Sequence, residues 1–180
     1  MKRLLVVAAV AFSASLAPAL AQARPARAPL GERMFFGGSI GLGFGDVDYV
    51  EISPLVGLHV TERLSTGVSL LYRHRKDSRF QPDLSTNDYG ADLFARYRLA
   101  GPFFLEADYE YLSYEFVRFD LSTDRTDFSS LLAGGGVYQP FGRNASGYVS
   151  VLYNFSYDEN DLQSPYDDPW VYRAGVMFGF

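Results

Sequence analysis

The sequence contains no cysteine among its 180 residues. This absence excludes disulfide bonds, thiolate metal sites and a lipid-modified N-terminal cysteine. Basic residues are outnumbered, because 16 Lys and Arg stand against 21 Asp and Glu, for a formal net charge of -5. A nucleic-acid partner needs the opposite balance. We therefore expect no nucleic-acid partner, and no motif in the sequence points to a cofactor or a metal.

Long apolar segments are missing after the N-terminus. A basic start, Lys2 and Arg3, precedes an apolar run over residues 4–16 and the small-residue segment ALAQA at 19–23. This order is typical of a secretory signal peptide, which we predict for residues 1–23. An N-terminal membrane anchor is the alternative, but the run is short and Pro18 follows it. No later stretch approaches the roughly 20 apolar residues of a spanning helix.

Aromatic residues are abundant, at 16% of the chain, and they recur in alternation with small or polar residues. The last eleven residues, WVYRAGVMFGF, show this pattern, which is typical of a β-strand whose two faces differ. After a flexible leader at 24–33, similar segments predict eight strands. Their predicted ranges are 35–45, 49–60, 64–75, 88–99, 103–116, 128–139, 146–157 and 170–180.

The connections between these segments are mostly short turns alternating with long polar loops, as in membrane barrels. No residues remain for a second layer, so the apolar faces are expected to meet lipid, which a sheet can do only when it is closed. We predict an all-β fold, an eight-stranded antiparallel up-and-down transmembrane β-barrel over residues 34–180. Aromatic residues at the strand ends are expected to form two interfacial girdles. The outer girdle is assigned to Tyr49, Tyr72, Tyr89, Tyr157, Trp170 and Tyr172, and the inner one to Phe36, Tyr97, Phe103, Tyr138, Tyr148 and Phe178.

The C-terminal strand resembles the assembly signal of Gram-negative outer-membrane barrels, which ends in an aromatic residue preceded by alternating apolar positions. The matching residues include Tyr172, Val176, Phe178 and Phe180. As a whole, residues 35–180 resemble the family of small eight-stranded outer-membrane barrels that includes the OmpA transmembrane domain and OmpX. The resemblance implies a place in the bacterial outer membrane. It also implies contact with outer-membrane lipid and lipopolysaccharide, and folding by the barrel assembly machinery.

The face opposite the apolar one is rich in charge. An eight-stranded barrel has a lumen only wide enough for side chains, so ionised groups there must be paired. The sequence therefore predicts a lumen plugged by ion pairs, with a gated ion path as the alternative. The predicted lumen network comprises Glu51, Arg73, Arg75, Asp92, Arg96, Arg98, Glu106, Asp108, Glu110 and Arg173.

Two glycine-rich stretches, 37–45 and 134–136, lie inside predicted strands. A phosphate-binding loop should lead from a strand into a helix, and neither stretch does. We expect the glycines to permit curvature and close backbone approach in a narrow barrel. They also leave the register of the first and sixth strands open by one residue.

The densest basic cluster, YRHRK at 72–76, falls at the predicted outer rim. We predict contacts with lipid headgroups by Arg73, His74, Arg75, Lys76 and Arg79, because Arg and Lys suit phosphate. The alternative is that Arg73 and Arg75 serve the lumen while Lys76 is solvated. In the loops, Phe80 and Tyr166 are candidates for contact with an unknown surface partner.

These features favour a non-enzymatic protein with a structural or surface-interaction role. Two alternatives remain open. One is a narrow channel or conduit for small solutes or hydrophobic molecules. The other is a lipid A-modifying enzyme, for which His74 with the nearby Asp77 and Ser78 is a thin match to a nucleophile and its base.

Overall fold

The computed structural model describes residues 29–43, 47–77, 84–117, 123–142, 144–158, 164–166 and 168–179. One helical turn, α1 (Leu30–Arg33), precedes eight strands. The strands are β1 (Met34–Gly43), β2 (Val47–His59), β3 (Leu64–Asp77), β4 (Leu84–Arg98), β5 (Phe103–Val117), β6 (Thr123–Pro140), β7 (Ala145–Asn154) and β8 (Trp170–Phe178). Each strand pairs antiparallel with the next, and β8 pairs with β1 to close the sheet into a barrel. The predicted eight-stranded up-and-down barrel is confirmed.

Some predicted residues lie outside the described part of the chain. They are the signal peptide at 1–23, the first half of the leader (24–28), and the side chains of Arg79, Phe80 and Phe180. The end of the leader is described, and there Arg33 Nε donates to the carbonyl oxygen of His59 over 2.8 Å. Within the described ranges, no helix is long and apolar enough to cross a membrane.

Strands β4 and β6 begin earlier than the sequence predicts, at residues 84 and 123 instead of 88 and 128. Each added segment pairs with the preceding strand, where Leu84 is opposite Asp77 and Thr123 is opposite Val117. The β5–β6 hairpin therefore runs beyond β7, whose pairing with β6 ends at Leu132 opposite Asn154. Alternation did not reveal these extensions because polar residues fill them, whereas backbone hydrogen bonds need no apolar face.

The two faces of the sheet differ as expected. In β8, Val171, Arg173 and Met177 point inward and are buried, while Tyr172 and Val176 are exposed on the outside. The alternation of inward and outward side chains also defines the register of β1 and β6, which the sequence left open. In β1, Phe35, Ser39 and Gly41 face inward, and in β6, Ser130 and Leu132 do so.

Two apolar clusters fill part of the interior. At the short-turn end the buried cluster comprises Phe35, Leu55, Phe94, Phe104, Tyr148 and Met177. Towards the long-loop end it comprises Leu132, Leu152, Tyr166 and Val171. Polar and charged side chains occupy much of the remaining interior.

The outside carries large apolar side chains along the strands. Eight of the twelve aromatics assigned to the girdles are exposed there: Phe36, Tyr72, Tyr89, Tyr97, Phe103, Trp170, Tyr172 and Phe178. The other four assignments need correction. Tyr49 and Tyr148 point inward, with 9% and 3% exposed, and Tyr138 and Tyr157 pack against the interior clusters. Tyr49 has the same parity in β2 as the inward Glu51, so strict alternation would have placed it correctly.

Candidate functional site in the barrel lumen

Ten Arg, Asp and Glu side chains are buried within the described residues. The bases are Arg73, Arg75, Arg96 and Arg173, and the acids are Glu51, Asp88, Asp92, Glu106, Asp108 and Glu110. Nine of them belong to the predicted lumen network. Asp88 is the addition, and it lies four residues before Asp92 on the same face of β4, so alternation could have found it.

Arg173 reaches across the lumen. It leaves β8 and its Nη1 donates to Asp108 Oδ2 on β5. Its Nη2 lies 3.3 Å from Asp92 Oδ2 on β4 and 3.4 Å from Glu110 Oε2 on β5. Its Nε lies 3.9 Å from Glu51 Oε1 on β2. One guanidinium therefore joins three other strands of the barrel.

Arg73 on β3 shares two of these acids. Its Nη2 and Nε lie 2.7 and 3.0 Å from Glu51 Oε2, directly opposite on β2. The same Nη2 lies 3.8 Å from Glu110 Oε2. The Tyr49 ring covers the guanidinium at 4.5 Å, a favourable cation–π contact. We call Arg73, Arg173, Glu51, Asp92, Asp108 and Glu110 the central cluster.

Two simpler ion pairs lie apart from the central cluster. Arg96 donates to Glu106 Oε1 over 2.7 and 3.0 Å, and its guanidinium stacks on the Tyr148 ring at 4.1 Å. This pair lies within the apolar cluster of the short-turn end.

The second pair lies towards the long loops. Arg75 Nε lies 2.7 Å from Asp88 Oδ2, and the guanidinium stacks on Tyr114 at 3.9 Å while donating to the Tyr114 hydroxyl. Asp88 also accepts from the backbone N–H of Glu115 on β5. Ion pairs therefore occur along much of the lumen, each with aromatic cover.

Tyr166 brings the β7–β8 connection into the lumen. Its side chain is 4% exposed, so it is not the surface contact that its loop position predicts. The hydroxyl donates to Glu110 Oε1 and accepts from Arg73 Nη2 over 2.9 Å. Burial raises the pKa of the Tyr166 hydroxyl well above its usual range, so it stays protonated as a donor. No sequence pattern marks this residue, because loop position and aromatic character alone suggest surface contact.

No family model matches the chain, and no curated protein matches it. Among solved structures, the N-terminal β-barrel domain of Pseudomonas aeruginosa OprF is similar, with a TM-score of 0.54 and 16% sequence identity. The match covers 81% of this chain and 96% of that chain. The two chains share a fold. The expected architecture of the small outer-membrane barrels is therefore confirmed at the level of the fold.

Arg98 stands apart from the ion pairs. It is half-buried, and its guanidinium lies 5.9 Å from the centre of the Tyr138 ring. Among the described residues it forms no ion pair, although Arg96, two residues earlier, does. Arg98 lies at the last position of β4, where the lumen opens towards the short turns.

The predicted headgroup residues separate into two groups. Arg73 and Arg75 turn into the lumen, with 0% and 4% exposed, where headgroups do not reach. His74 and Lys76 are exposed on the outer face near the long loops. Sequence reasoning missed Arg125 on β6, which stacks on the exposed Tyr89 at 5.2 Å.

Arg125 also links residues of the outer face near the long loops. It donates to the carbonyl oxygen of Asn87 over 3.0 Å, and the Asn87 side-chain oxygen lies 2.9 Å from His74 Nδ1. His74 therefore contacts an amide.

Ser78, the nucleophile that the enzyme hypothesis would need, lies outside the described residues. In the described ranges, no group of three or more His, Asp or Glu side chains is arranged to hold a metal.

The described residues of the predicted C-terminal assembly signal share the outer face. Tyr172, Val176 and Phe178 are 56%, 41% and 41% exposed. Phe178 stacks on Phe36 of β1, with ring centroids 5.9 Å apart, across the seam that closes the barrel. These three side chains are therefore accessible from outside the barrel.

Proposed function

We propose that this protein is a non-enzymatic barrel of the bacterial outer membrane, with its lumen closed by ion pairs. It acts structurally or through its long loops at the cell surface. The observation that carries the closed lumen is the span of Arg173, whose guanidinium contacts acids on β2, β4 and β5. Because acids on three strands hold the Arg173 guanidinium in the middle of the lumen, this side chain blocks a path through the barrel.

The outer surface supports a membrane location. Large apolar side chains such as Ile40, Leu70, Leu93 and Leu131 are more than half exposed, far more than a soluble barrel should present. The closed sheet pairs its backbone groups within the barrel, which hydrocarbon requires. Exposed aromatics lie towards both ends, like the girdles of membrane barrels. With the predicted signal peptide, these features favour the outer membrane of a Gram-negative cell.

Burial of the charged groups supports closure rather than conduction. Removing one partner of a buried ion pair leaves an uncompensated charge, at a cost of about 3–5 kcal/mol. Ions would have to displace such pairs to pass. Tyr166 adds a cover on the loop side, since its hydroxyl joins Glu110 and Arg73.

The proposed partners follow from the two surfaces. Outer-membrane lipid would surround the apolar wall, and lipopolysaccharide phosphates would meet His74, Lys76 and Arg125 at the long-loop rim. The barrel assembly machinery would recognise the C-terminal strand. The long loops would meet a surface partner that the present residues do not specify.

Single-channel recording in a planar bilayer tests the closed lumen. The purified, refolded barrel should show no steady conductance when heat-modifiable gel mobility confirms that it is folded. Steady conductance that changes in Glu110→Gln or Arg96→Gln would instead establish the lumen as the path and favour a narrow channel. Steady conductance that neither change affects would indicate leakage around the barrel. A bilayer of the same lipids without protein therefore serves as the control for each recording.

A further inference from the structure

The central cluster contains more acids than bases. Two guanidiniums, Arg73 and Arg173, face four carboxyl groups, and all six side chains are at most 4% exposed. The Arg96–Glu106 and Arg75–Asp88 pairs are balanced one to one, so the surplus of two carboxyls is local to the central cluster. Four ionised carboxylates there would leave two buried negative charges without compensation, which a low-dielectric interior strongly disfavours.

Hydrogen-bond donors distinguish two of the four carboxyls from the other two. Glu51 meets donors at both oxygens, with Ser53 Oγ 3.0 Å from Oε1 and Arg73 Nη2 2.7 Å from Oε2. Glu110 does too, because Tyr166 donates to Oε1 and Arg173 Nη2 lies 3.4 Å from Oε2. An ionised carboxylate only accepts hydrogen bonds, so donors at both oxygens suit the charged form.

Asp92 and Asp108 have a different environment. Their Oδ2 atoms receive all their donors, from Ser69 and Arg173 for Asp92 and from Arg173 for Asp108. Each Oδ1 is buried without a hydrogen-bond partner among the described residues. Glu106 Oε2 also lacks a partner among the described residues, but Glu106 forms a balanced pair with Arg96. Within the central cluster, the two oxygens without donors equal the two surplus carboxyls in number. A proton on each of these two carboxyls would remove the surplus charge, and at an oxygen that no donor reaches the neutral form is less costly to bury than the ionised one.

We propose that Asp92 and Asp108 each bind a proton at Oδ1 in the folded barrel at neutral pH, so that the central cluster carries no net charge. The neighbouring ionisable groups come from β2 (Glu51), β3 (Arg73), β4 (Arg96), β5 (Glu106 and Glu110), β8 (Arg173) and the β7–β8 connection (Tyr166). Among the described residues, β6 and β7 contribute Tyr138 and Tyr148 to the interior near this site, and β1 contributes no ionisable side chain. The site is therefore a proton-binding pair inside the plug, whether or not the lumen conducts.

Infrared spectroscopy of the refolded barrel tests the two protons directly. A protonated carboxylic acid has a carbonyl stretch separate from the carboxylate bands, and we expect this band at neutral pH. Asp92→Asn and Asp108→Asn should each remove half of it, and the double variant all of it. Glu106→Gln, in a balanced pair, should leave it unchanged. Absence of the band from the wild type, or its persistence in the double variant, would overturn the proposal.

Thermal unfolding gives a second, independent readout. Asparagine mimics a neutral carboxylic acid, so Asp92→Asn and Asp108→Asn should unfold at or above the wild-type temperature, while Glu51→Gln should unfold at a lower one. The folded barrel would bind two protons that the unfolded chain has released at neutral pH. Wild-type stability should therefore fall as pH rises through the neutral range, and the double variant should show a flatter profile.

A bound monovalent cation is the competing way to balance the surplus. In that case wild-type stability would rise with sodium or potassium at constant ionic strength, and the carbonyl band of a protonated acid would be missing. That result would overturn the proton assignment. The infrared band and the effect of cations on stability are both measured on the wild type. They therefore distinguish bound protons from a bound cation even if a variant fails to fold.

Discussion

Arg173 on β8 donates a hydrogen bond to Asp108 on β5, although β6 and β7 separate these strands around the barrel. The contact therefore crosses the lumen rather than following the sheet. Neighbouring strands are already joined by backbone hydrogen bonds, so a cross-lumen link adds a connection that the sheet cannot provide. We expect it to resist both unfolding and the opening of a passage.

Replacement of Arg173 by Met should destabilise the barrel by about 3–5 kcal/mol, because it keeps much of the side-chain volume but leaves buried acids without their cation. Urea unfolding followed by gel mobility and intrinsic fluorescence measures the loss. Arg98→Met is the matched control, since Arg98 lies beside the Tyr138 ring and forms no ion pair with the residues that the structure describes. That change should cost less than about 1 kcal/mol. Equal losses in the two variants would show that Arg173 does not act through its ion pairs.

Tyr166→Phe should cost about 1–3 kcal/mol, because the ring still packs while Glu110 and Arg73 each lose a hydrogen-bond partner in a buried place. Tyr166→Ala should cost more, since it also removes apolar contacts with Leu152 and Val171. Tyr172→Phe on the exposed outer face serves as the control and should be nearly neutral. If Tyr166→Phe behaved like the control, the hydroxyl would have no structural role.

The barrel and most of its lumen were predictable because alternation is a direct consequence of strand geometry. The position of Arg173 between Tyr172 and Ala174 predicts by itself that this side chain points inward. Which acids it meets was not predictable, since that depends on the tilt and stagger that bring β8 opposite β4 and β5. The contact between Arg96 and Glu106 follows from the hairpin itself, because β4 and β5 are neighbours and these two residues are directly opposite each other.

Tyr166 marks the limit of the same reasoning. Residues in loops do not alternate between two faces as strand residues do. The alternation of apolar and polar residues therefore could not predict that Tyr166 inserts into the lumen. Arg98 shows a second limit, because it has inward parity but lies at the end of β4, where the lumen opens. Alternation along the strand predicts which face a side chain occupies. Its position along the barrel axis determines whether oppositely charged side chains are close enough to pair with it.

Gly37→Ala should destabilise the barrel by about 1–3 kcal/mol, as overpacking does in a filled interior. A Cβ at this inward position would overlap the carbonyl oxygen of Val176, whereas a Cβ at the adjacent Gly38 would have its nearest neighbour, the Ser53 oxygen, at 3.4 Å. Gly38→Ala should therefore be neutral or slightly stabilising. Urea unfolding of the two variants compares them. Equal effects would refute the close-approach explanation of this glycine series.

The headgroup proposal predicts a selective effect of lipopolysaccharide. Purified lipopolysaccharide should raise the unfolding temperature of the wild type relative to a neutral detergent, because phosphates would pair with cations at the outer rim. The triple variant His74→Ala, Lys76→Ala, Arg125→Ala should lose most of this increase. Arg63→Ala, an exposed cation at the opposite end, should retain it. An increase that survives the triple variant would place the contact elsewhere on the barrel.

The C-terminal strand should affect assembly in cells more than intrinsic stability. Deletion of Phe180, or Phe178→Ala, should reduce the folded yield in the outer membrane several-fold, because the machinery proposed to recognise this strand would lose an aromatic anchor. The exposed Phe103, at the same end of the barrel, provides the control, and Phe103→Ala should assemble normally. All three variants should refold spontaneously in detergent to a similar extent. If Phe178→Ala and Phe103→Ala lost the same yield in cells, the effect would come from the aromatic girdle rather than from a C-terminal signal.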